Sequence, residues 1–283
     1  MLDAIAAEAL KFRRHRATWG LVWIWPIGLV VIWLLAIGVE LANGEAEVAA
    51  APTAAGWIAS ATGFWNVPGH PLGRYLIGAF VAVVFAGEYA WNTWKLIVPH
   101  RARATLIAAK YAVALGLLAC GFALGAAAFN ALGWLEDVAT GDPIPAGITA
   151  AALLKAHGLA ALAASAPLVL TTAYVSLAAI LTRSTVGALV IGLVVTTAEQ
   201  LFRSFAPMLE LYAPSLVGGL YRVLPGYHLG NLGSWLTEGR VLEIPFPSGV
   251  FSMSAAASLG IVAAWIAILI GLTFRSFRRQ DIN

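Results

Sequence analysis

The chain repeatedly runs, without a single formal charge, for the length of a helix that crosses a bilayer. Residues 17–39 hold no Asp, Glu, Lys or Arg, and neither do 111–135, 156–182 or 184–198. A final uncharged run covers 244–274, with Pro245 and Pro247 near its start, so its helix is expected from about Ser252. Roughly 20 mostly apolar residues in helical form cross a hydrocarbon core of about 30 Å. A water-soluble domain carries about 25% charged residues to cover its surface. Here 11% are charged and 60% are hydrophobic. That balance excludes an ordinary soluble enzyme, a disordered chain and a nucleic-acid-binding domain. The net charge of +3 does not point to nucleic acid, because the basic residues stand in short clusters between apolar runs. The single cysteine, Cys120, excludes an internal disulfide and reads as a small packing residue in mid-span.

These runs predict an all-α integral membrane protein, one transmembrane domain over 1–283. Six transmembrane helices are expected, at about 17–39, 72–88, 111–135, 156–182, 184–205 and 252–274. The first follows a basic stretch, Lys11, Arg13, Arg14, His15 and Arg16. A cleavable signal peptide has an apolar core of only about 7–15 residues, so the longer run here reads as a retained anchor. The second span is the least apolar and has Arg74 near one end. Residues 48–73 also lack formal charge, but Pro52, Pro68, Pro71 and several glycines interrupt them. They are expected to form an external loop whose Trp57, Phe64 and Trp65 lie on the membrane.

Charge placement orients the chain. With the N-terminus inside, Lys11, Arg13, Arg14, Arg16, Lys95, Arg101, Arg103, Lys110, Arg183, Arg275, Arg278 and Arg279 are internal, which is 12 of the 17 Lys and Arg. Arg74, Lys155, Arg203, Arg222 and Arg240 are external, beside the acids Glu40, Glu45, Glu47, Glu136, Asp137 and Asp142. Basic residues near span ends accumulate on the cytoplasmic side, so both termini are expected there. A seventh span before residue 72 would invert that bias. Trp19, Trp23, Trp25, Trp91, Trp94 and Trp134 lie near span ends, where an aromatic belt is expected.

Catalytic chemistry is not evident. No Gly-x-x-x-x-Gly-Lys-Ser/Thr phosphate loop and no Gly-x-Gly-x-x-Gly turn is present. The five histidines are scattered, with no metal-ligand spacing. The expectation is a chain with no cofactor or metal of its own.

The segment between the second and third spans is more specific. It reads Gly87-Glu88-Tyr89-Ala90-Trp91-Asn92-Thr93-Trp94-Lys95-Leu96-Ile97-Val98-Pro99-His100-Arg101-Ala102-Arg103 and leads to Lys110. An acid closes one span, an aromatic amphipathic stretch follows, and Pro99 marks a rigid corner before a basic turn. This suggests a short helix along the membrane face, with Trp91 and Trp94, three apart, on one apolar side and Lys95 at its edge.

The segment resembles the permease subunit of type-2 ABC transporters, the bacterial exporter class, and in particular a short branch that includes antibiotic- and peptide-export permeases. In that family an acid is followed five residues on by Thr, then by an apolar stretch, a Pro, an Arg, and a Lys seven residues later. Glu88 and Thr93 have the first spacing, and Arg103 and Lys110 the second. Arg101 is the alternative match for the family's Arg, and Asn92 stands where Gly is usual. The opening, from Ile5 through Glu8, Lys11, Arg13 and Arg14, resembles the family's N-terminal elbow helix over about 1–16. The basic tail from Phe274 to Ile282 resembles its usual ending. The resemblance implies a cytoplasmic coupling helix at 89–103 contacting a separate ATP-binding cassette subunit, which would hold the ATP and Mg. It also implies short, partly re-entrant helices within 205–242, and a homodimer or a heterodimer with a similar permease.

Two further features stand apart from the motif. Glu199 and Arg203, four apart, share a helix face and are expected to pair at membrane depth. Gly121 and Gly125 form a small-xxx-small face that permits close helix packing, either within the chain or across a dimer. The rival class is an integral-membrane enzyme or ion-coupled carrier, for which Glu199 is the nearest candidate acid.

Overall fold

The computed structural model describes residues 1–43 and 53–281. Glu45 and Glu47, read above as outer acids, lie outside the described residues. The chain begins with α1 (Leu2–Arg13), α2 (Arg16–Leu21) and α3 (Ile24–Asn43), then resumes with α4 (Ala54–Ala61) and a 3-10 stretch at Gly63–Gly69. There follow α5 (Pro71–Ala90), α6 (Trp94–Ile97), a 3-10 turn at Val98–His100, α7 (Arg103–Thr140), α8 (Ala150–Thr182) and α9 (Thr185–Glu210). The chain ends with α10 (Pro214–Val223), α11 (Pro225–Glu238), the strands β1 (Ile244–Phe246) and β2 (Gly249–Phe251), and α12 (Ala255–Arg279).

Local chemistry sets many of these boundaries. Thr149, Ser184 and Ser254 accept hydrogen bonds from the amides three residues on, capping α8, α9 and α12. Pro71, Pro214 and Pro225 open α5, α10 and α11, where a missing N–H costs nothing. Gly141, at φ 80°, ends α7.

Among the described residues, α5, α7, α8, α9 and α12 are long and apolar enough to cross a membrane, and Ile24–Val39 is a shorter apolar helix. The first expected span is therefore not one helix over 17–39. It breaks after Leu21, where the amides of both Val22 and Trp23 bond the Thr18 carbonyl. Val22 is fully buried there, and a Cβ added at Gly121 would lie 2.9 Å from its side chain. Gly125 faces Phe64 in the same way, at 2.4 Å. The small-residue face of α7 thus packs against this chain's own elements.

The third span is longer than expected. Its C-terminal end carries Glu136 and Asp137, which accept hydrogen bonds from the indoles of Trp33 at 3.0 Å and Trp57 at 2.7 Å. The region after residue 52 also departs from expectation. Phe64 is buried against Phe122 and Phe129, Trp65 donates to His157 Nδ1 at 3.1 Å, and Trp57 is half-buried. These aromatics cap α7 and α8 instead of forming a membrane-facing surface.

The helices α5, α8 and α9 pack on one another, α12 lies against α8 and α11, and α3 runs along α7. The core of α5 is continuous, from Ile77 through Phe80, Val81, Val84 and Phe85. The least apolar span is thus among the most enclosed, because a helix surrounded by protein is not required to be greasy on every face. By contrast, α9 and α12 direct most of their apolar residues outward. The chain is all-α in class and carries one short addition. A two-stranded hairpin pairs Ile244 with Phe251, and Phe246 and Phe251 meet Tyr221 edge-on at 5.2 and 5.0 Å. Cysteine 120 is exposed on α7, not packed within the core.

Candidate coupling site

The last turn of α5 delivers Glu88 to a place enclosed by α1 and α7. The Lys110 Nζ donates to Glu88 Oε2 at 2.8 Å, to Glu8 Oε1 at 2.7 Å and to the Val84 carbonyl at 2.6 Å. An ammonium has three N–H donors, and all three are used. Lys11 bonds the other oxygen of Glu88, Oε1. Two acids and two bases therefore form a neutral cluster. The side chains of Glu88 and Lys110 are only 2% and 3% exposed, whereas Lys11 keeps 40% of its surface. Buried charges are tolerated when paired and hydrogen-bonded, and this cluster meets both conditions. Glu8 and Lys11 of the expected elbow helix thus join Glu88 and Lys110 of the motif. Arg13 and Arg14 remain exposed at the end of α1.

Beyond Glu88 the chain turns sharply. Asn92 adopts φ 53°, in the left-handed region that glycine favours and asparagine tolerates best among the rest. This explains how Asn92 serves where a glycine is usual. Thr93 follows at the start of α6, where its amide bonds the Glu88 carbonyl at 3.0 Å but its hydroxyl makes no capping bond. The expected single apolar side of Trp91 and Trp94 does not form, because the turn at Asn92 separates them. Trp91 is 81% exposed and Trp94 3%. Trp94 packs on Phe277 with ring centroids 4.6 Å apart, and the Lys110 ammonium sits 5.3 Å from its ring. Of the six tryptophans assigned to an interfacial belt, Trp94 is therefore internal.

Arg103 also turns inward. Its Nη1 reaches the carbonyls of Phe277, Arg278 and Gln280 at 3.2, 2.9 and 2.6 Å. These are among the orphan carbonyls at the end of α12, so Arg103 closes that terminus. Arg101 instead makes a 3.6 Å ion pair with Asp3, both side chains largely exposed. Gln280, not anticipated from sequence, accepts from the Tyr89 hydroxyl at 2.5 Å and donates to the Ile180 carbonyl at 2.5 Å. What remains exposed on the turn is Trp91, Asn92, Lys95, Leu96, Pro99, His100, Arg101 and Ala102.

A second ion pair lies toward the opposite end of α5. The expected Glu199–Arg203 pair is not formed. Glu199 instead takes a two-pronged contact from Arg74, at 2.8 and 3.3 Å, while Arg74 Nε donates to Thr171 at 2.8 Å. Arg74 and Glu199 are 4% and 8% exposed. A desolvated guanidinium demands a carboxylate, and the planar fork of arginine suits both oxygens. Nothing in the local sequence distinguishes that partner, 125 residues away, from the one four residues away.

Five helices long and apolar enough to cross a membrane, among the described residues, define a multi-pass membrane protein. Residues 4–199, about two thirds of the chain, match the family described as ABC-2 family transporter protein, and the chain belongs to that family. It is a multi-pass membrane protein, and an ATP-binding cassette partner follows in general from the family. No curated protein matches the chain.

Proposed function

We propose that this chain is the non-catalytic, membrane-spanning subunit of an ATP-driven exporter of peptides, antibiotics or lipid-like molecules. It would sit in the bacterial cytoplasmic membrane with both termini inside, as a homodimer or beside a similar permease. ATP and Mg would be held by separate ATP-binding subunits docking on residues 89–103. The observation that carries this reading is the contrast within that turn. Trp91 and Leu96 are 81% and 71% exposed, while Glu88, Trp94 and Arg103 fix the segment to α1, α7 and α12. A push on the exposed side therefore reaches several helices together, as a packed two-state element requires.

The contact surface is accordingly Trp91, Lys95 and Leu96, with Trp94 and Arg103 supporting it from behind. The test is a Trp91→Ala, Leu96→Ala double variant, expressed with the companion ATP-binding subunit. Membrane insertion should be normal, and co-purification of the ATPase should fall about tenfold or more, since aromatic anchors dominate many protein contacts. Unchanged co-purification together with unchanged transport would remove residues 89–103 as the docking element.

A further inference from the structure

Two cavities meet at α9. The outer one, about 940 Å³, is bounded by the 3-10 stretch before α5, by α8 and α11, and by the loop to β1. It is lined by three arginines and three glutamates, Arg74, Arg203, Arg240, Glu199, Glu238 and Glu243. The inner one, about 620 Å³, lies among α8, α9, α11 and α12 and is walled by apolar residues such as Leu177, Val195 and Trp265. Glu199, Arg203 and Gly226 border both.

The charges do not all cancel locally. Arg74 is bound to Glu199, and Arg240 to Glu238 at 2.6 Å. Glu243 is exposed on the loop after α11. Half-buried Arg203 makes no hydrogen bond or ion pair among the described residues. Its guanidinium lies along α11, where a Cβ added at Gly230 would come within 3.4 Å of Nη1. At Gly226 an added Cβ would come within 3.2 Å of Glu199. These two glycines, one helical turn apart, leave the room in which both side chains reach the cavities. A half-buried cation with no ion-pair partner among the described residues, facing a cavity, is a candidate ligand contact. Pockets of a few hundred Å³ with one placed charge are the usual form of a small-molecule site.

We propose that Arg203 receives the anionic head group of an amphiphile whose apolar tail occupies the cavity beside Trp265. The head sits in the polar outer cavity and the tail in the inner one, with Arg203 and Gly226 at the junction. This rests on the transporter reading only for the ligand's later fate. Binding itself belongs to this chain alone, so it is measured without an ATPase, and its failure is distinct from failure of docking.

The probe is radiolabelled hexadecyl phosphate, bound to the purified full chain in neutral-detergent micelles. Binding should saturate. Inorganic phosphate should not displace it, and hexadecanol should displace it only weakly. Arg203→Gln should weaken binding about tenfold or more, as expected for loss of a charged hydrogen-bonding partner, with Arg203→Lys retaining part of it. Val195→Trp, which fills the apolar cavity, should weaken it as well. Each variant is compared at an unchanged gel-filtration profile, and Val195→Trp carries the test if Arg203 variants do not fold. Non-saturating uptake, equal displacement by hexadecanol, displacement by inorganic phosphate, or unchanged binding in both Arg203→Gln and Val195→Trp would overturn the proposal.

Discussion

Lys110 and Glu88, on successive long helices, share a 2.8 Å ion pair that is almost wholly removed from solvent. Each has a second partner on α1, Glu8 for the lysine and Lys11 for the glutamate. The first helix is therefore locked to the start of the projecting turn by charge as well as by Phe12, whose ring meets Phe80 edge-on at 6.0 Å. Removing one member strands the others. Lys110→Met should cost about 3–5 kcal/mol, the usual penalty for breaking a buried pair from one side. The double change Lys110→Met, Glu88→Leu leaves Glu8 and Lys11 to neutralise each other, 3.8 Å apart. It should therefore cost clearly less than the sum of the two single changes. Thermal unfolding in detergent would measure this, and strict additivity would show that the four charges act independently.

Trp91 and Trp94 should separate cleanly. Trp94→Ala opens a cavity between Tyr89, Phe277 and Lys110 and should destabilise by about 3–5 kcal/mol. Trp91→Ala, on the exposed side of the turn, should change stability by no more than about 0.5 kcal/mol. Melting curves of the two variants decide the matter. Equal losses would mean that the turn at Asn92 does not divide the segment as described.

That division shows where sequence reasoning reached its limit. The uncharged runs at 111–135, 156–182, 184–198 and 244–274 overlap α7, α8, α9 and α12, because a bilayer imposes length and polarity on such helices, whereas α5 carries Arg74 and Glu88 and has no such run. The family resemblance singles out Glu88 and Lys110, but not their pairing with each other and with Glu8 and Lys11. Which way Trp94 faces is not legible, because helical phase does not carry across a left-handed residue, and an asparagine permits φ 53° without requiring it. The inward turn of Arg103 depends on the end of α12 arriving beside it, a contact 174 residues away. The aromatic hairpin has no sequence signature, because two strands of three residues are too short for any period to show.

Arg74 and Arg203 should also differ. Arg74→Met leaves Glu199 buried without its partner and should destabilise by about 3–5 kcal/mol. Arg203→Gln breaks no hydrogen bond or ion pair among the described residues and should cost no more than about 1 kcal/mol, clearly less than Arg74→Met. Chemical denaturation of both variants in the same detergent is the measurement. A large loss in Arg203→Gln with none in Arg74→Met would restore the neighbouring pair, Glu199 with Arg203.

The helices after α9 offer a dependence on pH. His228 on α11 is fully buried. Its Nε2–H donates to the Arg222 carbonyl at 3.0 Å, so its Nδ1 accepts from the Ser258 hydroxyl at 2.9 Å. Ser258 in turn accepts from the Asn231 amide at 2.8 Å. This relay requires the neutral imidazole, and burial holds the histidine below its usual value. The unfolded chain then binds a proton at a higher pH than the folded one. The contribution is intact above about pH 6.5, the ordinary histidine value, and declines as pH falls through and below it. The melting temperature should therefore drop between pH 7.5 and pH 5.5. In His228→Gln, which can still bond Ser258 or Arg222 but cannot take up the proton, the starting temperature should be lower and the drop smaller. An identical pH response in the parent and His228→Gln would show that this histidine is not what titrates.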